Sequence, residues 1–229
     1  MVDLFHGDCL ELMKNIPDGS VDMVLCDLPY GTTSCKWDSV IPFEPLWKQY
    51  HRACKENAAV VLFSQMPFSA KLYMSNQKEF RYEWIWEKST PSGFLNSHKM
   101  PLKYHEQVFV FYRKLPCYNP QFSAGKKYKK TGDNKIRECY GEGVTRIAGN
   151  YQEKRFPSDV LFFGNPSWGN DKGLHPTQKP VALLEYLIKT YTNMGGGSSG
   201  QYNGKRFYWC CLCQHWKKFY RHRERRQVF

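Results

Sequence analysis

Asp27, Leu28, Pro29 and Tyr30 place a carboxylate, a backbone carbonyl and an aromatic face within four consecutive residues. Pro29 fixes its own φ and biases Leu28 toward extended backbone, so the Leu28 carbonyl is held in a defined direction. Two acceptors at this spacing can grip both N–H groups of an exocyclic ring amine. Such an amine is a poor nucleophile because its lone pair is delocalised into the ring. Held pyramidal, it can attack a methyl group, and a nearby carboxylate stabilises the positive charge that develops on nitrogen. The same four residues also make an ordinary strand end followed by a proline turn, so their company has to decide.

The elements that must position them can be read from the pattern. Val21 to Cys26 is a short, mostly apolar run that follows the turn signal Asp18-Gly19 and stops at Asp27. Its length and bounding turns predict a buried parallel strand, with Asp27 at the carboxyl end, where open α/β sheets bind ligands. Apolar spacing predicts helices over 9–15, 45–56, 68–78 and 181–190, the last with Pro180 at its entrance and a stripe of Leu183, Leu184, Leu187 and Ile188. Strands are predicted over 58–64, 82–87 and 107–112. The alternation gives an α/β fold with a doubly wound, mostly parallel sheet. Residues 1–116 form its first part and 172–193 a later helical segment. Between them, 117–171 dissolve into Pro, Gly, Asn and Lys, a length that is unusual in a compact domain unless it has a function. This stretch reads as a substrate-recognition insert, with Lys126, Lys127, Lys129 and Lys130 as candidate phosphate contacts; a solvated surface loop is the plain alternative.

Composition narrows the class. The chain has 229 residues, 41% of them hydrophobic, enough for one good core. No apolar run reaches the length of a membrane span and the first residues lack a leader pattern, so the expectation is a cytoplasmic protein without a membrane partner. Of nine cysteines, Cys9, Cys26, Cys35, Cys54, Cys117 and Cys139 are scattered singly, as buried reduced thiols are. The net charge of +12 invites a nucleic-acid partner, but +7 of it lies in the last 36 residues.

In the order of its parts the sequence resembles the β-type adenine-specific (N6) DNA methyltransferases of bacteria and their phages. The matching residues are Phe5-His6-Gly7-Asp8-Cys9-Leu10-Glu11, Asp27-Leu28-Pro29-Tyr30-Gly31, Trp84-Ile85-Trp86-Glu87-Lys88, His105-Glu106 and His175-Pro176-Thr177-Gln178-Lys179-Pro180. The resemblance spans roughly residues 3–193 and implies a Rossmann-like fold, S-adenosyl-L-methionine as methyl donor, double-stranded DNA as partner, and adenine N6 as the amine. The target base would be flipped out of the duplex. Asp27 and the Leu28 carbonyl become the acceptors and Tyr30 the stacking partner. Lys179 and Pro180, with the helix that they open, contribute to the cofactor site together with Asp27, and Asp8 lies near it. The family more often has proline where Leu28 stands, but a backbone acceptor survives the change. An acid at position 27, rather than serine, favours adenine over N4 of cytosine. The resemblance calls for no metal, and His105, Glu106 and His175 lack a compact ligand spacing. A homodimer is compatible with the sequence, which carries no motif that decides it.

The tail, 194–229, departs from the family. A strand and a glycine-rich loop should follow the helix ending near Asn193, with an acid after the next strand to bind the cofactor ribose. The chain instead runs on in a basic, Cys- and Trp-rich sequence in which we read no strand, so the sheet is expected to be incomplete, with exposed edges. Cys210, Cys211, Cys213, His215 and His222 suggest zinc ligands, but the adjacent Cys210-Cys211 does not fit a zinc knuckle. Codons compatible with the tail, read one base later, can encode WGEVVLDNIMGSGSTGVACV and then NTGRNFIGIEKDDKY, the missing strand, loop, strand and acid. A single-nucleotide shift near Asn193 and Met194 accounts for this. Three readings follow: a DNA adenine methyltransferase by descent, a catalytically dead DNA-binding remnant, and a zinc-binding C-terminal module.

Overall fold

A computed structural model describes residues 7–33, 38–126, 128–130, 149–151, 153–165, 178–193 and 207–211. The chain divides into two compact units, residues 1–119 with 159–229, and residues 120–158. Lys127, His175 and the tail residues Cys213, His215 and His222 lie outside the described residues.

The first unit is built on a six-stranded mixed sheet. In chain order its elements are α1 (Cys9–Met13), β1 (Val21–Asp27), α2 (Phe43–Ala53), β2 (Cys54–Ser64), α3 (Phe68–Ser75), β3 (Phe80–Ser92) and β4 (Lys103–Phe111). In the second unit β5 (Ser123–Ala124) pairs with β8 (Lys154–Arg155), and β6 (Tyr128–Lys130) with β7 (Gly149–Tyr151), both antiparallel. β9 (Val160–Phe163), α4 (Val181–Tyr191) and β10 (Phe207–Cys211) complete the first unit. Its strand order is β10-β1-β2-β4-β3-β9; the pairs β10–β1, β1–β2 and β3–β9 are parallel and β4 is antiparallel to both neighbours.

Alternation along the strands explains the layers. Val24 and Cys26 of β1, with Val60 and Leu62 of β2, face a core closed by Leu46 and Trp47 of α2 and by Phe68 and Leu72 of α3. Met23, Leu25, Val61 and Phe63 face the opposite core with Leu183, Leu187 and Tyr191 of α4. A sheet buried on both faces needs apolar residues at every position, which is why β1 and β2 read as continuous runs rather than as alternating ones. Each fully buried Leu or Phe contributes about 1.5–3 kcal/mol.

Three expectations change. The helix predicted over 45–56 stops at Ala53, and Cys54–Glu56 open β2 because the backbone of Cys54 pairs with Val21. Val160–Phe163, assigned from sequence to the insert, pair in parallel with Ile85–Lys88 as β9. Most important, the tail does contain a strand: residues 207–211 pair in parallel with Met23–Asp27 and cover the outer edge of β1. The aromatic run Phe207-Tyr208-Trp209 suits extended backbone well.

Candidate active site

β1 ends at Asp27, and Leu28 and Pro29 that follow are buried. The turn beyond them is tied down by Asp38, whose carboxylate accepts from the backbone N–H groups of Gly31 (2.9 Å), Thr32 (2.9 Å) and Thr33 (2.7 Å). Although burial works against it, these bonds hold the Asp38 carboxyl below its usual range. Gly31 has φ +66°, and a Cβ there would sit 2.9 Å from Val40 Cγ2, so glycine is required by both backbone and space.

Asp27 is gripped on both oxygens. Oδ1 accepts from the Tyr30 hydroxyl at 3.1 Å, and Oδ2 lies 3.2 Å from the ammonium of Lys179. Lys179 also pairs with Glu106 Oε2 at 2.9 Å, and Glu106 Oε1 with Lys88 at 2.7 Å. The result is an alternating chain of charges, Lys88, Glu106, Lys179 and Asp27, drawn from β3, β4, the entrance to α4 and β1. Both ammoniums are almost fully buried. The Lys179 Nζ also lies over the rings of Phe63 (5.2 Å), Tyr30 (5.8 Å) and Trp86 (5.9 Å).

The electrostatics follow from this order. Burial pushes the Asp27 carboxyl up, and its one ammonium neighbour only partly offsets that, with Glu106 working against it. Glu106 is also desolvated, but the flanking Lys179 and Lys88 outweigh burial and hold it below the usual carboxylate range. Lys179 is raised despite burial, because two carboxylates face it. Burial, with Asp27 adding to it, raises the Tyr30 phenol, which therefore stays a hydrogen-bond donor.

Lys179 is positioned by α4, which Pro180 opens as N-cap. The far end of α4 is anchored where Asn119 Nδ2 donates to the carbonyls of Lys189 and Thr192. The Tyr191 hydroxyl accepts from Trp84 Nε1 at 2.7 Å. One face of the Tyr30 ring is stacked on Phe68, with centroids 5.1 Å apart.

Of the residues singled out from sequence, Asp27, Tyr30 and Lys179 therefore meet. Asp8 is exposed and N-caps α1 by accepting from the Leu10 N–H at 2.8 Å. Lys126 is exposed, and its carbonyl accepts from Arg155; Lys129 and Lys130 lie in β6. In the sequence Lys88 stands out only as part of a matched stretch, and Glu106 as part of one and as a metal-ligand candidate set aside for its spacing. The signal for them was a charge at the mouth of an otherwise aromatic or apolar strand, a position where an ionised group needs a partner. Among the described residues no cluster has metal-ligand character, and no helix is long and apolar enough to cross a membrane.

Ser64 and Ser69 carry buried hydroxyls without a hydrogen-bond partner among the described residues. Ser64 ends β2 one residue after Phe63, the register partner of Asp27, and Ser69 follows Phe68.

Known proteins resemble this chain in sequence and in fold. Type II methyltransferase M.HpaI of Haemophilus parainfluenzae is 24% identical over 207 residues, covering 84% of this chain but 60% of its own length. DNA adenine methyltransferase YhdJ of Escherichia coli K12 is 25% identical over 209 residues, covering 84% of this chain and 68% of its own. In fold, the chain is similar to the crystal structure of the M1.HpyAVI–SAM complex, with a TM-score of 0.56 and 19% identity over 97% of this chain and 100% of that one. The DNA methylase family matches residues 21–197, from the first residue of β1 to beyond α4. With a matching sequence pattern over most of its length and a Rossmann-like sheet beneath it, this chain belongs to the DNA methylase family of N6 and N4 methyltransferases, whose methyl donor is S-adenosyl-L-methionine.

Proposed function

We propose that this chain is built to transfer a methyl group to N6 of an adenine in double-stranded DNA. The observation that carries the reading is Asp27 at the end of β1, with its oxygens between the Tyr30 hydroxyl and the Lys179 ammonium. S-adenosyl-L-methionine, when bound, supplies an electrophilic methyl group on a sulfonium. Asp27 and the Leu28 carbonyl accept the two N–H groups of a flipped base, and Pro29 keeps that carbonyl in line. Tyr30 stacks on the base with the ring face that Phe68 leaves uncovered. The buried Asp27 carboxylate, whose proton affinity is raised, can take the proton that the nitrogen must lose.

The acid at position 27 favours adenine over N4 of cytosine. By resemblance, Asp8, Asp27, Lys179 and Pro180 border the cofactor. The Lys179 ammonium is already engaged by two carboxylates, so its contribution is to hold Asp27 in place rather than to bind a cofactor anion. Lys126, Lys127, Lys129 and Lys130 are the proposed phosphate contacts.

The test is transfer of labelled methyl groups to DNA of mixed sequence, followed by nucleoside analysis, with Asp27→Ala as control. N6-methyladenine that disappears in the variant supports the reading. N4-methylcytosine, or methylation unchanged by the substitution, refutes it.

A second reading has one observation in its favour: the family match stops at residue 197, and the basic, Cys- and Trp-rich sequence beyond it lies outside that match. In that reading the chain grips DNA without methylating it. Calorimetry separates the two, since only the first gives saturable heat with S-adenosyl-L-methionine. A zinc-binding tail would show stoichiometric zinc in the purified protein.

A further inference from the structure

The connection between β3 and β4, residues 93–102, leaves the sheet at the end where the site lies. β4 runs antiparallel to β2, so its first residues stand at the carboxyl ends of β1 and β2. Glu106 belongs to the charge chain at Asp27, and Lys103 is three residues nearer the tip, roughly 10 Å along the strand.

This tip has an unusual surface. Leu95 is 100% exposed and Phe94 60%, with Met100 and Tyr104 about half exposed. From Gly93 to Tyr104 the sequence contains His98, Lys99 and Lys103 and no acid. Exposed apolar side chains with two lysines and no acid in the same stretch complement a polyanion with an apolar interior. The tip is also built to hold its shape. Gly93 turns at φ +96°, Asn96 donates to the Gly93 carbonyl at 3.0 Å and Ser97 to that of Phe94 at 3.1 Å. Lys99 and Met100 both donate to the Asn96 carbonyl, at 2.8 and 3.0 Å. A preformed tip loses little conformational entropy on binding.

We propose that this hairpin tip is a DNA wedge, in which Phe94 and Leu95 enter the base stack beside the target nucleotide while Lys99 and Lys103 hold the flanking phosphates. The inference rests on the reading that the chain acts on a base in duplex DNA. Extruding a base leaves a gap in the stack, and apolar side chains such as Phe and Leu are suited to fill it. The register that joins the tip to Glu106 puts the wedge at the same end of the sheet as the residues proposed to receive the base.

The experiment measures binding of the full chain to two fluorescent duplexes of one mixed sequence, one fully paired and one with a single abasic site, by anisotropy at several salt concentrations. Leu95→Ala should lower the preference for the abasic duplex at least fivefold, because the gap loses its filler, without changing the salt slope. Lys99→Ala should weaken both duplexes alike and reduce the slope of log affinity against log salt by about one. Both side chains are exposed, so neither change removes core packing, and circular dichroism checks the fold. Wild-type preference in Leu95→Ala overturns the wedge, whatever Lys99→Ala does. If Leu95→Ala instead abolishes self-association and leaves DNA binding intact, the tip contacts a second copy and the wedge is equally overturned. A wild-type chain that binds neither duplex overturns the DNA reading itself.

Discussion

Lys179 and Asp27 lie 3.2 Å apart although 152 positions separate them, so the proposed acceptor for the target amine already has a buried cation beside it. That cation is shared with Glu106, which keeps it from acting on Asp27 alone. Several expectations follow from this arrangement.

Lys179→Met leaves the buried Asp27 carboxylate without a cation and Glu106 with Lys88 alone. Removing one partner of a buried ion pair costs about 3–5 kcal/mol, and urea denaturation at neutral pH should show a loss of that size. A loss under about 1 kcal/mol, the scale of exposed pairs, would mean that the cluster is solvated.

Glu106 gives a pH signature. Its folded-state carboxyl lies below its ordinary value, so the stability it contributes is complete above that ordinary value and is lost as pH falls through the folded one. Asp27, raised on folding, works in the opposite sense: what it contributes at low pH is lost as pH rises through its folded value. Glu106→Gln should therefore flatten the acid limb of a stability-against-pH curve, and Asp27→Asn should steepen it. Chemical denaturation across the acid range checks both signs.

Asp38 holds the turn after the tetrapeptide through three backbone N–H groups. Asp38→Ala leaves these donors unmatched and should cost about 2 kcal/mol, with Asp38→Asn intermediate because it keeps one acceptor oxygen. If Asp27 acts as proposed, DNA methylation should fall with the loss of this turn, even at temperatures where the protein stays folded. Activity retained in a destabilised Asp38→Ala would separate the turn from the chemistry.

The gene itself tests the origin of the tail. A restored frame near the codons for Asn193 and Met194 should yield a chain that binds S-adenosyl-L-methionine saturably, where the present chain binds at least tenfold more weakly. An intact junction shared by related genes would rule out the shift.

What the sequence could reveal depended on the range of the interaction. β1 and α4 were legible because their signals are local: an apolar run bounded by Asp18-Gly19 and Asp27, and a leucine stripe behind Pro180. Tyr30 and Asp27 are near neighbours in the chain, so their meeting could be anticipated. The Lys88–Glu106–Lys179 links could not, since the first depends on the register of β3 with β4 and the second on where the entrance to α4 meets the sheet. β9 was hidden because Val160–Phe163 is a four-residue run at the edge of a polar stretch. β10 was hidden because Phe207–Cys211 is a five-residue run inside a basic, Cys- and Trp-rich stretch.

That last strand has a consequence of its own. The ladder between β10 and β1 is a main-chain pairing from Met23–Phe207 to Asp27–Cys211, and peptide groups are the same whatever codon wrote them. The slot beside β1 is thus indifferent to spelling. If a shift of frame gave the chain this ending, the ending would still shield the strand that carries Asp27.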